Sequence, residues 1–177
     1  MNTGSKFKIA RQGSYDGLCG IYSIVNFFSR LEKMKAGNSN KLAKKFLKTA
    51  LKAIENDKKL TVQNLLAGFW QGQLIKAAEA VATKHRKDIK IITLAAFIKE
   101  EKISDVRNLV EVLKGRGVAI LNLRKPGHWV LAYSKSSGAL KYDDSASGKV
   151  KSLGSEVIAR RCIDLKRGLV LLYASVH

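Results

Sequence analysis

A chain of 177 residues, 46% apolar, with two cysteines and one proline, suits one domain with a single core. That composition excludes a disulfide scaffold and a low-complexity disordered chain, and fits a reducing compartment or indifference to redox. Lys and Arg number 33 against 14 Asp and Glu, a formal +19, so the chain attracts polyanions (nucleic acid, anionic lipid or an acidic protein), an excess that says nothing of the fold.

The N-terminus "MNTGSKFKIARQGS" carries no apolar region of signal-peptide length. No window approaches ~18 uninterrupted apolar residues, so no membrane span is expected. These features point to a soluble cytoplasmic protein, or one exported by a signal-less route. Asp16 is suited to cap a helix running through Cys19, Tyr22, Ile24 and Phe28 to about Leu31. "AGNSN" then breaks the chain before "NKLAKKFLKTALKAIENDKK", residues 40–59. There Leu42, Phe46, Leu47, Ala50, Leu51 and Ile54 recur at helical spacing, while Lys41, Lys44, Lys45, Lys48 and Lys52 fall mostly elsewhere on the wheel. The plain reading of those lysines is a solvated helix face; the sharper one is an anion-binding surface.

Thr61 is suited to cap a short helix, "VQNLLAG", and "QLIKAAEAVATKH" reads as a further one. At "DIKIIT", 88–93, the pattern turns strand-like. Ser104 is expected to cap a helix that stops at Gly115-Arg116-Gly117. Beyond it, "VAILNL" (118–123), "HWVLAYS" (128–134), "LKYDDS" (140–145) and "GLVLLYAS" (168–175) are β-rich and separated by turn residues. Helices first and an antiparallel sheet second predict an α+β fold, one domain over 1–177, with an N-terminal helical part packed on a C-terminal antiparallel sheet. No Gly-rich phosphate loop, HExxH or CxxC motif appears, so no cofactor and no metal is expected.

The segment "QGSYDGLCGIYSIVNFF", 12–28, sets a lone thiol between glycines at a helix start. A helix N-terminus and a neighbouring imidazolium both favour a thiolate. Of the three histidines, His85 and His177 read as surface residues. His128 is delivered from a Pro-Gly turn onto a strand start, in "RKPGHWVLAYS". If "KSSG" (135–138) turns the chain about residue 136, the position opposite His128 is near 144, so Asp144 is expected to orient the ring. Strand alternation lets only one of Asp143 and Asp144 face it, and a one-residue shift of register transfers the role to Asp143. Gln12 and a backbone N–H at the helix start are suited to hold an oxyanion, and Gly17 and Gly20 to let a substrate approach the sulfur. Cys162 reads as packing, Trp129 as core or as a shield for the site, and Trp70 as helix packing rather than the lining of a groove.

Gln12, "DGLCGIYS", "GHWVLAYS" and "YDDSASG", in that order, resemble the papain-like cysteine peptidase superfamily, most nearly its small bacterial branch with bacteriocin-processing peptidases. The resemblance implies an oxyanion glutamine at Gln12, a nucleophile at Cys19, a base at His128 and an orienting acid at Asp144. In that branch the acid opens a segment of the form Asp-x-Ala-x-Gly; Asp144–Gly148 fits it, with Ser145 where proline is frequent, and this supports Asp144 over Asp143. The segment around Cys19 is also similar to that of ubiquitin-like-protein proteases, although there the histidine and acid precede the cysteine. The matching motifs lie within 12–148, and the stretch between the first helix and residue 117 matches none of them.

The expected function is therefore that of a cysteine peptidase, or a related thiol hydrolase, cleaving an amide in a protein or peptide substrate, an acidic one included. A glutamine deamidase or effector toxin on the same triad is the alternative chemistry. The rival from another class is a non-catalytic basic module that binds nucleic acid or an acidic protein, and it predicts salt-sensitive association with no dependence on Cys19.

Overall fold

The computed structural model describes residues 18–33, 39–56, 68–86, 88–114, 116–123, 128–134, 140–145, 147–152 and 163–173. Apolar side chains at helical spacing build three helices first: α1 (Cys19–Lys33), α2 (Ser39–Asn56) and α3 (Gln71–His85). Then come β1 (Ile89–Thr93), two short helices, α4 (Leu94–Glu100) and α5 (Val106–Leu113), and strands β2 (Gly117–Leu123), β3 (His128–Ser134), β4 (Leu140–Asp144), β5 (Lys149–Ser152) and β6 (Ile163–Tyr173). The fold is α+β, with helices leading a six-stranded sheet of order β1-β6-β2-β3-β4-β5. Every strand pairing in it is antiparallel.

The sheet is apolar on both faces because β2, β3 and β6 carry near-continuous runs of aliphatic residues. Ile120, Trp129, Leu131, Leu169 and Leu171 pack with α1, α2 and α3, through Ile24, Phe28, Phe46 and Leu74. The alternate residues, Ala119, Leu121, Val130, Ala132 and Val170, pack with Leu94, Phe97, Leu109 and Leu113 of α4 and α5. The N-terminal helices thus cover one face, as expected, and the two short helices cover the other.

Several boundaries move. The cap of α5 is Asp105, whose side chain accepts from the Asn108 N–H, rather than Ser104. Ser104 instead lies within reach of the Asn108 side-chain amide, at 3.1 Å. Helix α4, with Thr93 capping it, and strand β5 have no counterpart in the sequence reading. Along α2, Phe46, Ala50 and Ile54 are buried while Lys41, Lys44, Lys45, Lys48 and Lys52 are exposed, the amphipathic division expected. Asp16, Thr61 with "VQNLLAG", and Gly115 lie outside the described residues. No described helix is long and apolar enough to cross a membrane.

Candidate active site

Cys19 is the first residue of α1, where N–H groups lack intrahelical acceptors and the helix dipole is positive. Its buried Sγ accepts a hydrogen bond from the Trp129 N–H at 3.4 Å. The sulfur therefore rests against the peptide bond that joins His128 to Trp129. One turn along α1, the buried Ser23 hydroxyl lies 2.9 Å from the Cys19 carbonyl oxygen and 3.4 Å from that of Trp129. Trp129 stands beyond the last β3–β4 pair, Leu131 with Asp143, and α1 meets both its backbone N–H and its C=O. Ser23 carried no sequence signal beyond its place on the apolar face of α1.

Gly20 has a packing purpose that the sequence did not show. A Cβ at this position would meet the Leu74 methyl groups at 2.6 and 2.7 Å. The glycine lets α1 lie close against α3. Gly17, like Gln12, lies outside the described residues.

His128 opens β3, where it pairs across the sheet with Leu123, and its side chain is 14% exposed. Its Nε2 lies 3.0 Å from Asp144 Oδ1. This carboxylate closes β4 and caps the turn that follows: Ser147 Oγ donates to Oδ2 at 2.9 Å, and the Gly148 N–H donates to the Asp144 carbonyl at 2.8 Å. Gly148 sits at φ 64°, a left-handed conformation that suits glycine, which accounts for the Asp-to-Gly spacing of this segment. Lys151 Nζ, on β5, also reaches Asp144 Oδ2.

The expected register needs a correction. The pairs Leu131–Asp143 and Ala132–Tyr142 centre the hairpin on residue 137 rather than 136. Asp144 is thus level with Val130, two residues from His128 along the strand. A shift of two preserves the face, so the imidazole and the Asp144 carboxylate still meet as diagonal neighbours. Asp143 points to the other face. There Arg30 of α1 grips it with two hydrogen bonds, Nε to Oδ2 at 2.8 Å and Nη2 to Oδ1 at 2.6 Å, and the Tyr133 hydroxyl stands 3.3 Å from Oδ1.

The two carboxyl groups differ electrostatically. Burial pushes Asp144 up, but hydrogen bonds from Lys151, Ser147 and His128 outweigh it and hold the group at about 2. For Asp143 burial prevails: the carboxyl is raised from its ordinary value even though Arg30 and Tyr133 oppose the shift. Asp144 is thus an anion at neutral pH, and an anion on Nε2 leaves Nδ1 as the ring nitrogen for exchanging a proton with a neighbour. Lys151 was missed because its strand, "KVKS", has no apolar run. Its register opposite Tyr142, on the face of Asp144, was the available clue.

Two aromatic residues depart from expectation. His85 is not a free surface side chain: it is part-buried, its ring lies edge-on to Phe46 at 5.1 Å, and burial lowers its pKa. Trp70 does not pack between helices; it stands exposed ahead of α3. Cys162 and His177 lie outside the described residues. Comparison with protein-family models, curated proteins and solved structures finds no match.

Proposed function

We propose that this protein is a thiol hydrolase of papain-like arrangement that cleaves an amide bond in a peptide or protein. The observation that carries the reading is the position of Cys19 Sγ, 3.4 Å from the nitrogen following His128, while the His128 ring is engaged by Asp144 at 3.0 Å. Support for the reading is that Cys19 opens α1 against the backbone of the strand that His128 opens, and that Asp144 closes the neighbouring strand within reach of the His128 ring.

In this mechanism His128 Nδ1 takes the Cys19 proton, and the helix start together with the Trp129 N–H stabilises the thiolate. The sulfur attacks the amide carbonyl carbon. The Cys19 backbone N–H and the Gln12 side chain supply the oxyanion donors. The tetrahedral intermediate collapses as the C–N bond breaks, and His128 returns the proton to the leaving amine. Water, deprotonated by His128, hydrolyses the thioester and restores the thiol. Asp144 holds the ring throughout. A glutamine side chain entering the same site would be deamidated by the same steps.

A glutamine-containing peptide library, read by mass spectrometry, tests this. Hydrolysed or deamidated products are expected with the wild type, absent with Cys19→Ala and His128→Ala. Products undiminished in Cys19→Ala, or none with any member of the library, would contradict the reading.

A further inference from the structure

Of the described large apolar side chains, only Trp70 and Val150 are exposed, and Trp70 is 68% so. A singly exposed apolar side chain is ordinary, and Trp70 is set apart by the cation that stands beside it. One side is already occupied: the Arg167 guanidinium carbon lies 5.8 Å from the ring centroid, in cation–π range.

Two independent connections bring this pair to the end of the sheet that holds the thiol. Trp70 accepts the first hydrogen bonds of α3 on its carbonyl oxygen, from Gln73 and Leu74. Leu74, one turn along, is the residue whose methyl groups fill the space over Gly20, next to Cys19. From the other side, β6 pairs regularly with β2 as far as Leu121–Gly168, and then Leu123 pairs with Ile163. Residues 164–167 therefore bulge outward opposite Asn122, and Leu123 is also the partner of His128. The Gln71 side-chain amide donates to the Gly168 carbonyl at 3.0 Å and pins the start of α3 to this bulge. Bulges commonly re-aim side chains beside active sites.

The chemistry of the pair is specific. Trp70 offers a flat apolar face on which an extended peptide can lie. Arg167 is 57% exposed and, among the described residues, its ion pair is with Asp164, through Nε at 3.7 Å, which leaves the Nη groups to meet an incoming carboxylate. We propose that Trp70 and Arg167 form the substrate-recognition wall of the thiol site and select peptides with an acidic side chain beside the scissile amide. This rests on the thiol-hydrolase reading above and gives it a substrate class.

The test uses the whole chain and three peptidyl vinyl sulfones, identical except for Glu, Gln or Lys beside the reactive position. The rate of attachment to Cys19 is followed by mass spectrometry, with each variant normalised to its own iodoacetamide rate. The Glu probe is expected to react about tenfold faster than the Gln probe, as a charge-assisted hydrogen bond allows, with the Lys probe slowest. Arg167→Ala should bring the Glu and Gln rates together, and Arg167→Glu should favour Lys over Glu. Trp70→Ala should slow all three probes roughly fivefold and keep their order. In Lys44→Glu/Lys48→Glu, remote on α2, the Glu preference should persist.

A Glu-to-Gln ratio near one in the wild type overturns the proposal. So does a preference that survives Arg167→Ala, or one that collapses in the α2 variant and thereby belongs to the net charge. Iodoacetamide that fails to modify wild-type Cys19 is a different result: it overturns the thiol reading, and this proposal with it.

Discussion

Asp143 and Asp144 are consecutive carboxylates with opposite assignments, and strand alternation separates them. Asp144 shares the face of His128; Asp143 shares the face of Arg30. Asp144→Asn keeps the shape but loses the anion, so alkylation of Cys19 near neutral pH should slow at least about tenfold. Asp143→Asn should change that rate far less, and comparing the two by iodoacetamide kinetics decides the assignment. Because the folded-state pKa of Asp144 is depressed to about 2, its contribution to stability is fully present above its ordinary carboxyl range, near 3.8, and is lost as the pH falls through about 2. Lys151→Met should move the acid-unfolding midpoint upward. The cost at neutral pH should be about 1 kcal/mol or less, since Lys151 is 46% exposed and water screens the pair; circular dichroism against pH reads both. The sequence carried Cys19, His128 and Asp144 through helix start, strand start and alternation. Lys151 and Ser23 were hidden because each acts through a neighbour that only the sheet register and the α1–β3 contact identify.

Among the elements, α1 is the one that must be held in place, since it carries the sulfur to the strand that carries the proposed base. Three contacts do this: Gly20 on Leu74, Ser23 between the Cys19 and Trp129 carbonyls, and Arg30 on Asp143. Gly20→Ala should destabilise the protein by about 1–3 kcal/mol through overpacking against Leu74, and Leu74→Ala in the same chain should recover part of it. Arg30→Ala takes the cation from Asp143, whose side chain has no exposure, leaves it the Tyr133 hydroxyl as hydrogen-bond partner, and should cost about 3 kcal/mol. The raised pKa of Asp143 fixes the sign with pH: its burial costs less while it is protonated and more as it ionises. The Arg30→Ala loss should therefore grow as the pH rises through and above the carboxyl range, and Arg30→Ala/Asp143→Asn should restore much of it, as urea melts at acidic and neutral pH will show. The hairpin register was legible only to its face. A turn centred on 136 or 137 reads equally well in "SKSSGAL", but a two-residue shift of partner leaves every side chain on the same side.

For the whole molecule, helical periodicity before residue 86 and β-rich runs after 117 were enough to read helices followed by an antiparallel sheet. Strand order was not legible: nothing local in "DIKIIT" says that β1 pairs with β6 rather than with the strand that follows it. Nor did short, half-exposed α4 announce that it covers the second face of the sheet. The +19 charge was legible as a number, and the exposed lysines of α2 show part of where it lies. Leu47 and Leu51 line an open groove there with Lys44, Lys48 and Lys52. If this charge serves capture of polyanions, binding to a duplex oligonucleotide should fall steeply between about 50 and 200 mM salt and be unchanged by Cys19→Ala.

Whether Cys19 and His128 act as one unit is read from the rate of iodoacetamide alkylation from about pH 4 to 9, located by mass spectrometry. Fast modification of wild-type Cys19 is expected below about pH 7, lost in His128→Ala and slowed in Asp144→Asn, with Cys162 inert. A thiol that reacts only above about pH 8, or as readily in His128→Ala as in the wild type, would contradict that joint action.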